Sequence, residues 1–371
     1  MRRSGQSGMG EALAGGLEAV DADWMSRCLS ANGIDTRIAA VSSHPVGTGQ
    51  MAHCVRFSLT YAAGSVSGPA TLIAKVPSPH ERSRRSGNGA SGYYMREVGF
   101  YQHLASSALI RTPRCYNAWH DPERGEFILL LEDLAPAKQG DQLEGVTVEQ
   151  AADVMREAAK LHASHWSDCQ IGKLSWVTGT KAATSRAPAA TSYTKMWRGF
   201  TDRYGARIDP EARMIGDRFL SIFDVYQSGC GAPQCLTHND FRPDNMMFAV
   251  GPTQPPVTVL DWQTLGFGHG AADVSYFLAG ALSPTARREN EKDLFDIYHE
   301  QLRMLGVSGY ARAQLTHDLA WNSFYLFVAA TIGAMVVEQT ERGDKMFLVM
   351  LHGAADQIAS LDALKLIEAH S

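Results

Sequence analysis

The sequence predicts an α+β fold in two lobes, a small strand-rich N-terminal lobe followed by a larger helical one. Three observations point there. Between residues 38 and 76, three segments of strand length are separated by Gly-containing turns. An apolar run, Phe127–Leu131, marks a buried strand just before the composition changes. Beyond Asp133 helical periodicity dominates, broken by one loop-rich block between Cys235 and Gly270. The expected lobes are residues 18–133 and 134–371, and residues 1–17, small, polar and Gly-rich, are expected to be disordered.

Taken in order, Asp23–Ala31 reads as a short helix, and Ile38–Val46, Cys54–Tyr61 and Thr71–Val76 read as strands. Pro77–Gly92, dense in Ser, Arg and Gly, is a loop by composition, and a helix follows over Tyr93–Ala105. Thr147 and Gln150 form a capping box that opens a helix over Val148–Trp166. Leu319–Val337 carries no charge, but it contains Asn322, Ser323 and Thr331 between acidic flanks, which suits a buried helix rather than a membrane span. Hydrophobic residues make up 45% of the chain and charged ones 20%, and the net charge of −5 gives no basic face for nucleic acid. The six cysteines are scattered and only Cys230 and Cys235 lie close, so neither a zinc pattern nor a disulfide framework is present. Arg2 and Arg3 precede a Gly-rich stretch interrupted by Glu11 and Glu18, with no apolar core of a signal peptide. A cytoplasmic protein is the expectation.

The most informative segment runs from Thr237 to Asn245, followed by the apolar strand Val257–Leu260 and then Asp261-Trp262-Gln263. Its pattern, H-x-D-x-x-x-x-N, a strand, then D at a turn, matches the needs of phosphoryl transfer. One carboxylate must orient the attacking hydroxyl and accept its proton, a role that fits Asp240. A second carboxylate and an amide oxygen must hold Mg²⁺ against the nucleotide phosphates, which fits Asp261 and Asn245. His238 and Arg242 complete the catalytic set, His238 as a brace for the loop more than a reacting group. Arg242 either stabilises transferring charge or pairs with Asp244 or Asp273. Turn propensity alone explains one Asp or Asn here, but not three at this spacing between apolar runs.

Upstream lie the parts a nucleotide would need. Gly47-Thr48-Gly49-Gln50 forms a Gly-rich turn that continues into an alternating strand, unlike a dinucleotide-binding turn, which must open a helix. No Walker-type phosphate loop occurs. Lys75 sits inside a strand, where contact with the α- and β-phosphates would give an ammonium its reason. Glu97 falls on the apolar face of its helix with Tyr94, Val98 and Tyr101, so an ion pair with Lys75 is predicted. Glu132 and Leu134 stand where the two compositions meet, the place for a hinge whose backbone would bind adenine.

With these residues in place, the chain resembles the aminoglycoside phosphotransferase and choline kinase superfamily, nearest its CHK-kinase-like (ecdysteroid-kinase-like) branch. The likeness rests on Gly47–Ala52, Lys75, Tyr94–Glu97, Leu130–Leu134, Gly140–Gln142, Leu161–Ala163, His238–Asn245 and Asp261–Gln263 with Asp273. It implies a protein-kinase-like bilobal fold, ATP with Mg²⁺, and an acceptor pocket built by the C-terminal helices. On that likeness Asp240 is the base, and Asn245 and Asp261 bind magnesium. One feature departs from the family, and another separates the chain from true protein kinases. Asn239 replaces a glycine after the loop histidine, which Asn's tolerance of unusual backbone angles allows. Only residues 262–272 separate Asp261 from Asp273, too few for a long activation segment, which disfavours a protein substrate.

His162 and His165 are expected to be packed, hydrogen-bonded histidines rather than a metal pair. The run His80–Arg85 reads as a solvated loop, and the rings of Trp321, Phe324, Tyr325 and Phe327 read first as core. The expected function is ATP-dependent phosphorylation of a small-molecule alcohol, with a hydroxylated lipid, sterol or acyl thioester favoured by the apolar C-terminal lobe. The alternatives are a kinase of a cationic substrate, such as an aminoglycoside or choline, and a nucleotide-binding pseudokinase scaffold.

Overall fold

The computed structural model describes residues 17, 19–47, 52–66, 68–78, 92–179 and 190–370, which divide into two compact units. The first gathers the chain up to Ser107, Thr112–Pro136 and Asp261–Thr264; the second holds Ala108–Arg111, Ala137–Leu260 and the chain from Leu265 onward. The main division at Pro136 lies close to the expected one, while the exchange of 108–111 and 261–264 had no signal in composition. The expected disordered start and the run His80–Arg85 lie outside the described residues, apart from Leu17.

The first unit begins with α1 (Ala22–Ala31), capped by the Asp21 carboxylate, which accepts from the Trp24 N–H at 2.7 Å. Five antiparallel strands follow: β1 (Ile38–Val46), β2 (Ala52–Tyr61), β3 (Thr71–Pro77), β4 (Cys115–Asp121) and β5 (Glu126–Glu132), in the order β1-β2-β3-β5-β4. β4 has no clean alternation and is bulged between Cys115 and Asn117, which hides it from a period-two reading. Between β3 and β4 lies α2 (Tyr93–Gly99), whose last turn loosens into a π-helix over Phe100–Leu104 rather than continuing as α-helix.

Strand parity decides what each sheet face carries, because successive side chains point to opposite faces. Leu72, Ala74, Val76, Ile128 and Leu130 pack with Trp24, Met25 and Leu29 of α1. Phe127, Leu129 and Leu131 pack with Tyr94 and Val98 of α2. Lys75 therefore faces α2.

The second unit carries α3 (Val148–Ser164), α4 (Ala190–Tyr204), α5 (Pro210–Ser228), α6 (Gly270–Ala281), α7 (Pro284–Met304), α8 (Arg312–Asn322), α9 (Phe324–Val336), α10 (Glu341–Ser360) and α11 (Ala363–Glu368). The loop-rich block resolves into short strands in two small sheets. β6 (Lys138–Gln139), β9 (Met246–Phe248) and β10 (Val257–Val259) form one; β7 (Thr178–Gly179), β8 (Gln234–Thr237) and β11 (Gly266–His269) form the other. The capping box of α3 forms in full, with Gln150 N–H on the Thr147 hydroxyl and the Thr147 N–H on the Gln150 amide oxygen. Every residue of α6 is buried. The stretch 312–336 is long and apolar enough to cross a membrane by length and composition, but most of that apolar window is buried. Trp321, Phe324, Leu326, Phe327 and Ala330 lie inside the core with Trp197, Phe219 and Leu351.

Gly353 of α10 lies against the Ala279 carbonyl of α6, and a Cβ there would overlap that oxygen. Gly353→Ala should cost about 1–3 kcal/mol, read as a lower melting temperature in a thermal unfolding scan. An unchanged melting temperature would mean that α10 does not pack against α6 as described.

Candidate active site

In the first unit the predicted ion pair is present. The Lys75 ammonium donates to Glu97 at 2.8 Å and to Asp261 Oδ1 at 3.0 Å. Lys75 arrives by strand parity, and Glu97 by the i, i+3, i+4 spacing that buries it with Tyr94 and Val98. Burial alone would push the Lys75 ammonium down, but Asp261 and Glu97 outweigh it and hold the pKa above the ordinary lysine range. Burial raises the Glu97 carboxyl to about 7, with Lys75 opposing and the like charge of Asp261 adding to the rise. The two carboxylates around it keep the Lys75 ammonium charged.

Asp261 takes a left-handed backbone, φ 63°. The residues after it are tied to α2: the Arg96 guanidinium donates to the Gln263 carbonyl at 2.7 Å, and the Trp262 indole stacks on Phe100 with centroids 3.9 Å apart.

In the second unit the loop after β8 is organised by Asp273 of α6, which is fully buried. Its carboxylate accepts from the His238 N–H at 2.7 Å and the Asn239 N–H at 2.8 Å. His162 Nε2 lies 3.2 Å from the same carboxylate, and His162 Nδ1 lies 2.8 Å from the Tyr298 hydroxyl. Asn239 adopts φ 65°, the left-handed conformation that a glycine would reach more easily. The His238 ring is bonded to the Leu260 carbonyl at 2.8 Å and accepts from the Asp240 N–H at 3.3 Å.

Asp240 presents its carboxylate among three donors. Tyr276 O–H reaches Oδ1 at 3.0 Å, Asn245 Nδ2 reaches Oδ2 at 2.9 Å, and Arg242 Nε lies 3.2 Å from Oδ1 and 3.3 Å from Oδ2. Burial would raise this carboxyl, but Arg242 and His238, then the bonds from Asn245 and Tyr276, hold it below the usual carboxylate range. The Tyr276 hydroxyl is pushed well above its usual range, first by burial and then by the charge of Asp240, so it acts only as a donor. With its nitrogen committed to Asp240, the Asn245 amide turns its oxygen the other way.

A model of the phosphotransferase enzyme family (APH) matches residues 58–314, well over half of the chain. The chain belongs to that family. An ethanolamine kinase from Plasmodium vivax shares the fold at a TM-score of 0.51, with 8% identity and 89% of this chain and 87% of that one covered. An aminoglycoside phosphotransferase from Ralstonia eutropha, described as putative, gives a TM-score of 0.48 at 15% identity over 89% of this chain and 98% of that one. A Caenorhabditis elegans protein named "uncharacterized oxidoreductase dhs-27" is 22% identical over 240 residues, 62% of this chain. The chain spans only 29% of that protein's length. The α+β, protein-kinase-like fold is thereby shown.

Against the family's chemistry, the described residues fall into place unevenly. Asp240, Arg242 and Asn245 come together in the second unit, and Lys75, Glu97 and Asp261 in the first. His238 is fully buried and spends both ring nitrogens on the loop, so it positions rather than reacts. Arg242 pairs with Asp240 and lies 3.9 Å from Asp244; of the two pairings foreseen for it, Asp244 is the nearer and the base itself was not anticipated. The Glu132 carboxylate accepts from the Arg114 N–H at 2.9 Å and the Glu132 N–H donates to the Arg114 carbonyl at 2.8 Å, so Glu132 is bound within the sheet; Leu134 is half-buried after β5. Gly47 has φ 74°, while Thr48, Gly49 and Gln50 lie outside the described residues. Tyr276 and Arg96 were not singled out as site residues, because each sits in a helix whose pattern reads as packing.

Removing one member of a buried ion pair strands the other charge, whereas removing both does not. Lys75→Met should therefore destabilise the protein by about 3–5 kcal/mol, and Lys75→Met with Glu97→Met by clearly less. Chemical denaturation of both variants checks this, and a double variant no better than the single would count against the pair.

Proposed function

We propose that this protein transfers the γ-phosphoryl group of ATP to a hydroxyl of a small molecule. The observation that carries the reading is the held carboxylate of Asp240, five residues before Asn245 in a loop anchored by Asp273. The acceptor oxygen bonds to the γ-phosphorus as the bond from that phosphorus to the β–γ bridging oxygen breaks. ADP leaves, and the hydroxyl proton passes to Asp240. Lys75, kept charged by its two carboxylates, is suited to the α- and β-phosphates. Family membership supports the reaction type, and no residue that such chemistry requires is replaced, as a pseudokinase scaffold would allow.

Magnesium is the metal the donors suit. Among the described residues no group of three or more His, Cys, Asp or Glu side chains forms a metal cage. Asp261 in the first unit and Asn245 in the second are each a hard oxygen donor of the kind magnesium takes. When bound, it would neutralise charge on the phosphate oxygens. On this reading the cytoplasm, where ATP is supplied, is the proposed compartment.

The test is ADP formation with Mg-ATP across pools of alcohols, with wild type beside Asp240→Ala. The pools would include sterols, hydroxyacyl thioesters, aminoglycosides and ethanolamine-like amines. One pool should be turned over, and loss of the base should cut that rate about 10²- to 10⁴-fold. Turnover that survives in Asp240→Ala would remove Asp240 from the chemistry, and silence on all pools with ATP still bound would favour a scaffold.

A pH prediction follows from the donors around Asp240. With its folded pKa depressed, Asp240 stays ionised above the ordinary carboxylate value of about 4, and its contribution is lost only as pH falls through the lower folded value. The acid limb of the rate profile should therefore lie below about pH 4, and Tyr276→Phe should move it upward. A limb at the same pH in both proteins would show that Tyr276 does not hold the carboxylate.

A further inference from the structure

We infer that the acceptor is an alcohol carrying no charge close to its hydroxyl, and that Arg242 enforces this by keeping cations from Asp240. The inference rests on the phosphotransfer reading above and concerns the surroundings of Asp240 within the second unit.

The carboxylates there are already matched. Asp240 is paired with Arg242 at 3.2 Å. Asp244 is paired with Arg342 at 3.2 Å, and its other oxygen accepts from the Gln142 N–H at 2.9 Å. Asp141 is paired with the same Arg342 at 3.0 Å and accepts from the Leu143 N–H at 2.7 Å. A cationic substrate is recognised by carboxylates that lack such partners in the empty protein. Here it would have to displace an arginine that is half-buried in the loop itself.

An ammonium brought within reach of Asp240 meets the Arg242 charge at a similar distance. Attraction and repulsion are then of like size, so the pair gives a cation little reason to stay. An anion fares no better, because it meets Asp240 and Asp244 while both arginines are already engaged by carboxylates.

Beyond these ion pairs, Tyr276, Tyr325 and Met346 are uncharged neighbours of the loop among the described residues. Tyr276 donates to the base, and the Tyr325 ring lies 5.9 Å from that of Tyr276 while its hydroxyl donates to the Asn239 carbonyl at 3.1 Å. Arg242 Nη1 lies on the Met346 thioether at 3.0 Å, so the guanidinium is held between the base and a soft apolar side chain. The half-buried Tyr325 ring and Met346 thioether offer polarisable surface to an apolar body, while Tyr276 is buried behind the base. Repulsion built against the wrong partner is a usual source of specificity, and Arg242 supplies it at the reacting atom.

The experiment uses three sets of acceptors matched in carbon skeleton: neutral alcohols, amino alcohols and hydroxy acids. ADP formation from Mg-ATP is measured for the full chain, Arg242→Gln, Arg242→Lys and an Asp240→Asn blank. Wild type should turn over the neutral set with kcat/KM at least about tenfold above the amino set, and Arg242→Gln should narrow that ratio by about tenfold. Arg242→Lys, which keeps the charge, should retain the discrimination even if the loop is loosened and overall rates fall. Wild-type turnover of amino alcohols or hydroxy acids at parity with neutral ones would overturn the inference and leave phosphotransfer standing. So would an Arg242→Gln protein that loses the same factor on every set, the signature of a loop brace. No turnover beyond the blank with any set would instead sink the phosphotransfer reading, and this inference with it.

Discussion

Asp273 is a carboxylate with no solvent around it, and the geometry of the loop that carries Asp240 depends on how that charge is satisfied. A buried carboxylate is costly unless hydrogen bonds replace its water. Two consecutive backbone amides and one imidazole do so here. For successive N–H groups to converge on one acceptor, the chain must turn sharply between them, and Asn239 pays with a left-handed φ of 65°. Once residues 238 and 239 are fixed, Asp240 has little choice of direction. The His238 ring then closes the loop onto Leu260, and Asn245 reaches back to the Asp240 carbonyl at 2.8 Å. His162 can approach Asp273 because Gly270, at the start of α6, has no Cβ; one there would lie 2.7 Å from the imidazole Nδ1.

The first unit solves a related problem with charge rather than with backbone donors. Lys75 is brought under the sheet by parity and Glu97 by helical spacing, and neither could be buried alone. Asp261 completes the cluster, and Arg96 and Trp262 fasten the residues that follow it to α2. The position of α2 and the direction of Asp261 are therefore linked through contacts that lie entirely within one unit.

What the sequence made legible is what local spacing encodes. Five residues from Asp240 to Asn245 are enough to announce the loop, and the parity of β3 with the face of α2 is enough to pair Lys75 with Glu97. The surroundings of Asp240 were not legible, because Tyr276, Tyr325 and Met346 come from three separate helices far along the chain. Each looks like one more large residue in a core helix. The aromatic stripe shows why: Trp321, Phe324 and Phe327 are core, and only their neighbour Tyr325 turns its hydroxyl to the loop. Arg242 was legible only in part: Asp244, one of its expected partners, lies 3.9 Å away, but the nearer partner was not expected. Its partner was sought among nearby structural acids, when the base itself is two residues away.

If Asp240 is the general base, surrounding it with three donors looks self-defeating, since each lowers its affinity for a proton. Phosphoryl transfer resolves the conflict. Its transition state is loose, with little bonding to the incoming oxygen, so the hydroxyl needs to be aimed more than it needs to be deprotonated early. A carboxylate fixed by Asn245, Tyr276 and Arg242 is suited to aiming and stays ionised, and on the proposed reading it would take the proton late, once the oxygen has committed to phosphorus. The same donors that weaken Asp240 as a base also neutralise it as an anchor for cations. On the proposed reading, orientation of the attacking oxygen and rejection of charged acceptors would follow from one arrangement, in which Arg242 would have both roles.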